Sequence, residues 1–307
     1  NFVRDPQDFS SPDGNTKVIV LGSGTPLPNP YRQGPAFALV VEDSTYLIDA
    51  GEGIWRSLAR AALVHGDDVT RALSPEKLQH VFLTHLHEDH TVGIPSLLLN
   101  PFKLNIPRSK VFHGPLGTDR MIHHIIEAWQ IDIASEIADG NDPEGGRAVG
   151  KNIEVAEAGV IFEDDRVMVE AFRTIHGRLE NTYAFRFTTA DRVVVFAGDG
   201  GPFHDNIVEA ARGADLLIAE VVTEENLVHA PWGGETLKDK REEIFRFHFS
   251  PSVLARIANE AAVSTLVLVH EQNYNSGDDF SPLGLLDEVA AAGFTGELHS
   301  AMDADVY

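Results

Sequence analysis

Residues Thr84-His85-Leu86-His87-Glu88-Asp89-His90 follow the apolar run Val81-Phe82-Leu83 and bring three imidazoles and a carboxylate into six consecutive positions. Side chains two apart on an extended strand project to the same side, so His85 and His87 can both reach one ion. Asp89 and His90 come where the chain must turn, and can face a second ion beside the first. A solvated histidine loop is the weaker reading, because buried apolar strands seldom end in so many metal-competent groups.

Composition narrows what such a site can be. The 307 residues are 43% apolar, enough for a sizeable core. No apolar run approaches the roughly 20 residues of a membrane helix, so the chain is expected to be soluble, without a membrane partner. Length alone allows two domains, but no linker divides the sequence, which predicts an arm at 1–16 and a single domain at 17–307. With 47 acidic against 24 basic residues the formal charge is −23. Such a field repels a polyanion and argues against nucleic acid as a partner, although a bound divalent cation or a local basic patch could still receive phosphate or sulfate. There are no cysteines, so thiolate ligation and disulfides are excluded and any metal must be held by histidine and carboxylate. The chain starts at Asn1 with neither an initiator methionine nor a signal segment. That fits a cytoplasmic protein, or a periplasmic or secreted one after processing.

Strands are predicted at 17–21, 36–41, 45–48, 79–83 and 110–113. The glycines of Gly22-Ser23-Gly24 do not make a nucleotide cradle, since Pro26, Pro28 and Pro30 prevent a helix from opening there. A helix is expected near 54–64, a second after Gly93 with Pro95 in its first turn, and a third at 117–129. In that third helix Met121, Ile122, Ile125, Ile126 and Trp129 form the apolar stripe, while His123 and His124 fall on the solvated face. Residues 139–151 read as an acidic loop. The second half carries strands at 167–175, 183–188, 193–197 and 216–222. A helix is capped by Ser250-Pro251, a strand runs from 265 to 269, and a last helix (282–292) and strand (297–300) follow. Two groups of strands interleaved with helices imply an α/β protein with two sheets and a site along one common edge.

Three further residues sit just past apolar strands: His176, Asp199 and His270. Each alone is an ordinary turn residue; together with the 85–90 cluster they form a set. The sequence here resembles the metallo-β-lactamase superfamily, whose His-x-His-x-Asp-His signature stands at His85-Leu86-His87-Glu88-Asp89-His90. The stretches Leu21-Gly22-Ser23-Gly24-Thr25-Pro26, Asp49-Ala50-Gly51-Glu52-Gly53, His90-Thr91-Val92-Gly93-Ile94-Pro95 and Gly198-Asp199-Gly200-Gly201-Pro202 are similar to ribonuclease Z and the arylsulfatase-type enzymes related to it.

The resemblance implies an αββα sandwich of two mixed β-sheets flanked by helices, and two divalent metal ions, zinc first and manganese second. It assigns His85, His87 and His176 to one ion and Asp89, His90 and His270 to the other, with Asp199 bridging. Asp49 orients a ligand from behind. Two such ions can share a hydroxide nucleophile. Glu220 and His248 match the pair thought to protonate the leaving group in ribonuclease Z, although Ala219 replaces the histidine that precedes the family's glutamate. Phe245-Arg246-Phe247-His248-Phe249 is expected to alternate, with His248 opposite the phenylalanines. The 139–151 loop is acidic where ribonuclease Z carries a basic arm, and 223–246 reads as a long connection in which Trp232 could close over a leaving group. The expected activity is therefore hydrolysis of a small aryl sulfate or phosphate ester by a metal-bound hydroxide. A tRNA 3′-processing endonuclease and a lactone or carboxylic-ester hydrolase are the alternatives, and a metal-binding module without catalysis is the rival of another class. The resemblance also allows a homodimer.

Overall fold

The computed structural model describes residues 15–229, 234, 236–270 and 283–307. The chain forms two compact units, one of residues 1–154 with 302–307, the other of 155–301.

The first unit holds a six-stranded sheet in sequence order, built from β1 (Thr16–Gly22), β2 (Ala36–Val41), β3 (Ser44–Ile48), β4 (Leu78–Phe82), β5 (Lys110–Gly114) and β6 (Ala148–Asn152). β1, β2 and β3 are joined antiparallel; β3 to β6 run parallel. Its helices are α1 (Ile54–His65), α2 (Asp67–Ala72), α3 (Ile94–Lys103), α4 (Thr118–Ala128) and α5 (Gln130–Ala138). Alternation sends Val81 and Leu83 to one face of β4, where they join Leu47, Leu97 and Phe112 in the core. On β5 the same core-facing side carries Lys110, which is 1% exposed. Burial lowers its ammonium to about 8, since removing the charge from water disfavours it.

Residues 302–307 complete this unit. Val18 N–H donates to Tyr307 O at 2.9 Å, and Val20 N–H to Asp305 O at 2.9 Å. Asp303 accepts from Ser23 N at 3.0 Å, Ser23 Oγ at 2.8 Å and Gln33 N at 2.8 Å.

The second unit holds β7 (Ala158–Glu163), β8 (Met168–Arg173), β9 (Tyr183–Thr188), β10 (Val193–Phe196), β11 (Leu216–Glu220), β12 (Thr265–Val269) and β13 (Glu297–Ser300). The order is β13-β12-β11-β10-β9-β8-β7, parallel from β13 to β10 and antiparallel from β10 to β7. Two antiparallel steps return β8 to the direction of β10, so β8, β10, β11 and β12 all end at one edge. The helices are α6 (Asp205–Ala211), α7 (Glu224–His229), α8 (Leu237–Ile244), α9 (Pro251–Glu260) and α10 (Leu283–Ala291). Ser250 caps α9 by accepting from Val253 N at 3.3 Å.

The α/β class and the two mixed sheets flanked by helices are as expected. Several local readings were not. Residues 148–151 of the expected loop belong to strand β6, an edge strand of alternating half-buried and exposed residues that carries little apolar signal. β7 and α5 were absent from the sequence reading, and the expected connection at 223–246 contains α7 and α8. The 245–249 segment is a turn closing α8, with His248 N–H donating to Ile244 O at 3.0 Å, rather than an alternating strand. Among the described residues no helix is long and apolar enough to cross a membrane.

Candidate metal centre

The first unit gathers its ligand candidates where β3 and β4 end. These strands are parallel neighbours with Ile48 opposite Phe82, and Asp49 N–H donates to Phe82 O at 2.8 Å. Asp49 therefore stands beside Thr84. It adopts φ +56°, a left-handed conformation that aspartate tolerates better than most residues. Its Oδ1 accepts from Thr84 N at 2.8 Å, and its Oδ2 from Thr84 Oγ1 at 2.9 Å.

This carboxylate sets two imidazoles. With its proton given to Asp49, the Thr84 hydroxyl accepts from His85 Nδ1, 3.0 Å away. His90 Nδ1 donates to Asp49 Oδ2 at 2.8 Å. Both rings thus keep Nε2 as the lone-pair nitrogen, the arrangement a metal ligand requires. A 3₁₀ turn at Glu88–His90 puts Asp89 Oδ2 3.6 Å from His90 Nε2, while His85 Nε2 lies 3.2 Å from His87 Nδ1.

The second unit draws its candidates from four strand ends. His176, Asp199, Glu220 and His270 follow or close β8, β10, β11 and β12, and His248 comes from the turn after α8. His176 Nδ1 donates to the Phe247 carbonyl at 2.5 Å, which again leaves Nε2 free of the proton. Asp199 Oδ2 lies 3.9 Å from His176 Nε2, 3.6 Å from His270 Nε2 and 3.9 Å from His248 Nδ1. His270 turns in at φ +51°. Glu220 is 1% exposed and accepts through Oε1 from Gly200 N at 3.1 Å and Phe249 N at 2.8 Å. Its Oε2 lies 3.2 Å from His248 Nδ1. Burial pushes the Glu220 carboxyl up, and the adjoining His248 pulls it back.

The donor sets fit divalent ions. Two ligands about 2.1 Å from one ion at a tetrahedral angle stand roughly 3.4 Å apart. The separations of 3.2 and 3.6 Å in the first unit and 3.6 to 3.9 Å around Asp199 are of that size, and the three Asp199 contacts are too long for direct hydrogen bonds. Buried carboxylate and imidazole without thiolate is a set that suits zinc and its first-row neighbours. His123 and His124 stay on the exposed face of α4, paired with Glu127 at 3.3 and 2.8 Å. Trp232 lies outside the described residues. The Thr84 hydroxyl and the Phe247 carbonyl were missed in the sequence. A hydroxyl directly before the motif was an available signal for the first; a carbonyl leaves none.

A family profile described as "Beta-lactamase superfamily domain" matches residues 44–270. A ribonuclease Z of Mycobacterium bovis is 30% identical over 259 residues, covering 83% of this chain and 85% of its own length. The chain belongs to the ribonuclease Z branch of the metallo-β-lactamase superfamily. A ribonuclease Z of Mycobacterium tuberculosis is 31% identical with the same coverage. In fold the chain is similar to the short form of human tRNase Z, with a TM-score of 0.67 at 22% identity, over 95% of this chain and 98% of the other.

Membership makes this a metal-dependent hydrolase of ester bonds using divalent ions. It also corrects two expectations. The small ester substrate and the aversion to nucleic acid are overturned by relatives that are ribonucleases along most of the chain. The physical reason is that a charge of −23 is a sum over the whole surface, whereas a phosphodiester meets only the few groups around the scissile bond, bound cations included. None of the relatives named here is an arylsulfatase.

Proposed function

We propose that this protein is a ribonuclease Z-type endonuclease that removes 3′ extensions from transfer-RNA precursors. The observation that carries the reading is the likeness to ribonuclease Z along 83% of the chain; the buried Glu220–His248 pair beside Asp199 supports it. The ligands are His85, His87, Asp89, His90, His176, Asp199 and His270, and the ions are two zinc ions per chain. When bound, such ions supply an activated water and neutralise charge that builds on phosphate oxygens.

The chain's own part is proton transfer. Glu220 Oε2 holds Nδ1 of His248, which leaves Nε2 to give a proton to the departing ribose oxygen. Asp49, through Thr84 for His85 and directly for His90, and the Phe247 carbonyl for His176 keep the proton of these three imidazoles on Nδ1, with the Nε2 lone pair left for a metal.

The test is cleavage of a precursor tRNA bearing a 3′ trailer by the metal-loaded protein, with a nitrophenyl phosphodiester as control. Release of the trailer is expected. An intact precursor alongside a hydrolysed control would overturn the tRNA reading. His248→Ala should keep its metal and slow precursor cleavage on the order of 100-fold, while the nitrophenyl ester, whose leaving group departs unprotonated, slows far less. Equal slowing of both would remove His248 from that role.

A further inference from the structure

His248 stands between two phenylalanines, and each ring is seated on a glycine that follows a ligand candidate. At Gly177, next to His176, a Cβ would meet Cε1 of Phe247 at 2.0 Å and Cδ1 at 2.3 Å. At Gly200, next to Asp199, it would meet Cζ of Phe249 at 1.9 Å and Cε2 at 2.3 Å. Carbon atoms in contact stand about 3.5 to 4 Å apart, so neither seat accepts even a methyl group while the ring stays in place. Gly177 also has φ +57°, which favours glycine independently.

Backbone bonds run through the same two points. Gly177 N–H donates to Arg246 O at 2.9 Å, and the next carbonyl, that of Phe247, takes the Nδ1 proton of His176. The Phe247 ring stands edge-on to the His176 ring, with centroids 5.7 Å apart and planes at 84°. On the other side, Phe249 N–H and Gly200 N–H share Oε1 of Glu220, the carboxylate whose Oε2 meets His248. One three-residue stretch thus touches the loop of His176, the loop of Asp199 and the Glu220 carboxylate.

We propose that Phe247 and Phe249 are positioning residues, whose rings, seated on Gly177 and Gly200, fix the placing of His248 and the tautomer of His176 in a single register. The proposal rests on the reading of His248 as the group that protonates the departing oxygen. Phe249 is 2% exposed and belongs to the core of its unit, whereas Phe247 is half-buried. Phe247 is therefore the residue to change, since its loss costs the core less.

Phe247→Leu removes the flat contact with Gly177 and keeps an apolar side chain. The metal-loaded variant is compared with the unaltered protein on precursor tRNA and on a nitrophenyl phosphodiester, with histidine ¹⁵N NMR following exchange of the His176 Nδ1 proton. Misplacement by about 1 Å can cost on the order of 100-fold in rate. With metal kept in excess so that a loosened His176 stays liganded, the expected result is a loss of that size in kcat on precursor tRNA with KM unchanged, a loss under about threefold on the nitrophenyl ester, and at least tenfold faster exchange of the His176 proton. Equal losses on both substrates, or unaltered exchange, would overturn the proposal and leave Phe247 a packing residue. If the unaltered protein does not cut precursor tRNA, the functional reading fails, and the exchange rate still decides whether Phe247 fixes His176. Should Phe247→Leu not fold, Phe247→Met, flexible and without a flat face, carries the same comparison.

Discussion

The two groups of ligand candidates are assembled in opposite ways. In the first unit, His85, His87, Asp89 and His90 lie within one short stretch, and a single carboxylate behind them, Asp49, fixes two of the imidazoles. In the second, His176, Asp199 and His270 arrive from three separate strands, and their supports are divided; the Phe247 carbonyl serves His176 while Glu220 serves His248 and the Asp199 loop. A local cluster has a single point of failure. A dispersed one spreads the same task over backbone and packing, and losing one part loosens a neighbour without releasing the whole.

The largest expected effect tests both groups together. Removing metal with a chelator should abolish hydrolysis, and elemental analysis of the restored protein should approach two ions per chain, because seven donors exceed what one tetrahedral ion uses. Full activity with a single ion would end the assignment of separate sets.

Next comes Glu220→Ala, which strips the acceptor from the buried Gly200 and Phe249 amides and from His248. A loss of about 3 to 5 kcal/mol in urea denaturation is expected, with metal content held, since the groups Glu220 accepts from are Gly200, Phe249 and His248 rather than a ligand imidazole. Asp49→Ala should behave in the reverse manner. Metal affinity should fall about 10- to 100-fold, measured by competition with a coloured chelator, as His85 and His90 lose their fixed tautomers together. If Glu220→Ala sheds metal and Asp49→Ala does not, the contrast between the two groups is wrong.

The smallest effect is a control remote from either group. The buried Lys110 ammonium is lowered to about 8, below its unfolded value, so the unfolded chain holds the proton more tightly and Lys110 costs stability wherever it is charged. Lys110→Met should stabilise the protein by about 2 kcal/mol at pH 7. That gain should shrink as pH rises from 8 towards 10.5, where the unfolded lysine also loses its proton. A pH-independent gain would point to packing instead.

What the sequence disclosed follows from the same contrast. The contiguous group was visible because its spacing is itself the signal, and strand ends such as Val269-His270 and Ala197-Gly198-Asp199 could be picked out once that signal was in hand. β6 and β7 escaped because edge strands with half-exposed residues lack an apolar period. Thr84 and the Phe247 carbonyl escaped because hydrogen-bond partners distant in the chain leave no pattern. The seats at Gly177 and Gly200 escaped for a related reason: a glycine beside a ligand reads as a turn until the ring above it is seen. The misjudged substrate came from a different error, treating a molecular sum of charge as a local field.

Residues 302–307 bear on how the protein is made. They pair with β1 and bring Asp303 to Ser23 and Gln33, so they finish a sheet whose other strands were synthesised first. Between the two pieces the ribosome must deliver all of residues 155–301. Domains emerging from the ribosome usually fold in order, N-terminal first. Here the earlier unit cannot close β1 until the later one has left the exit tunnel, so during synthesis the edge of β1 waits exposed as a template for the wrong strand. A released chain ending at Ala301 should therefore be captured by chaperones or digested more readily than one that also carries residues 302–307.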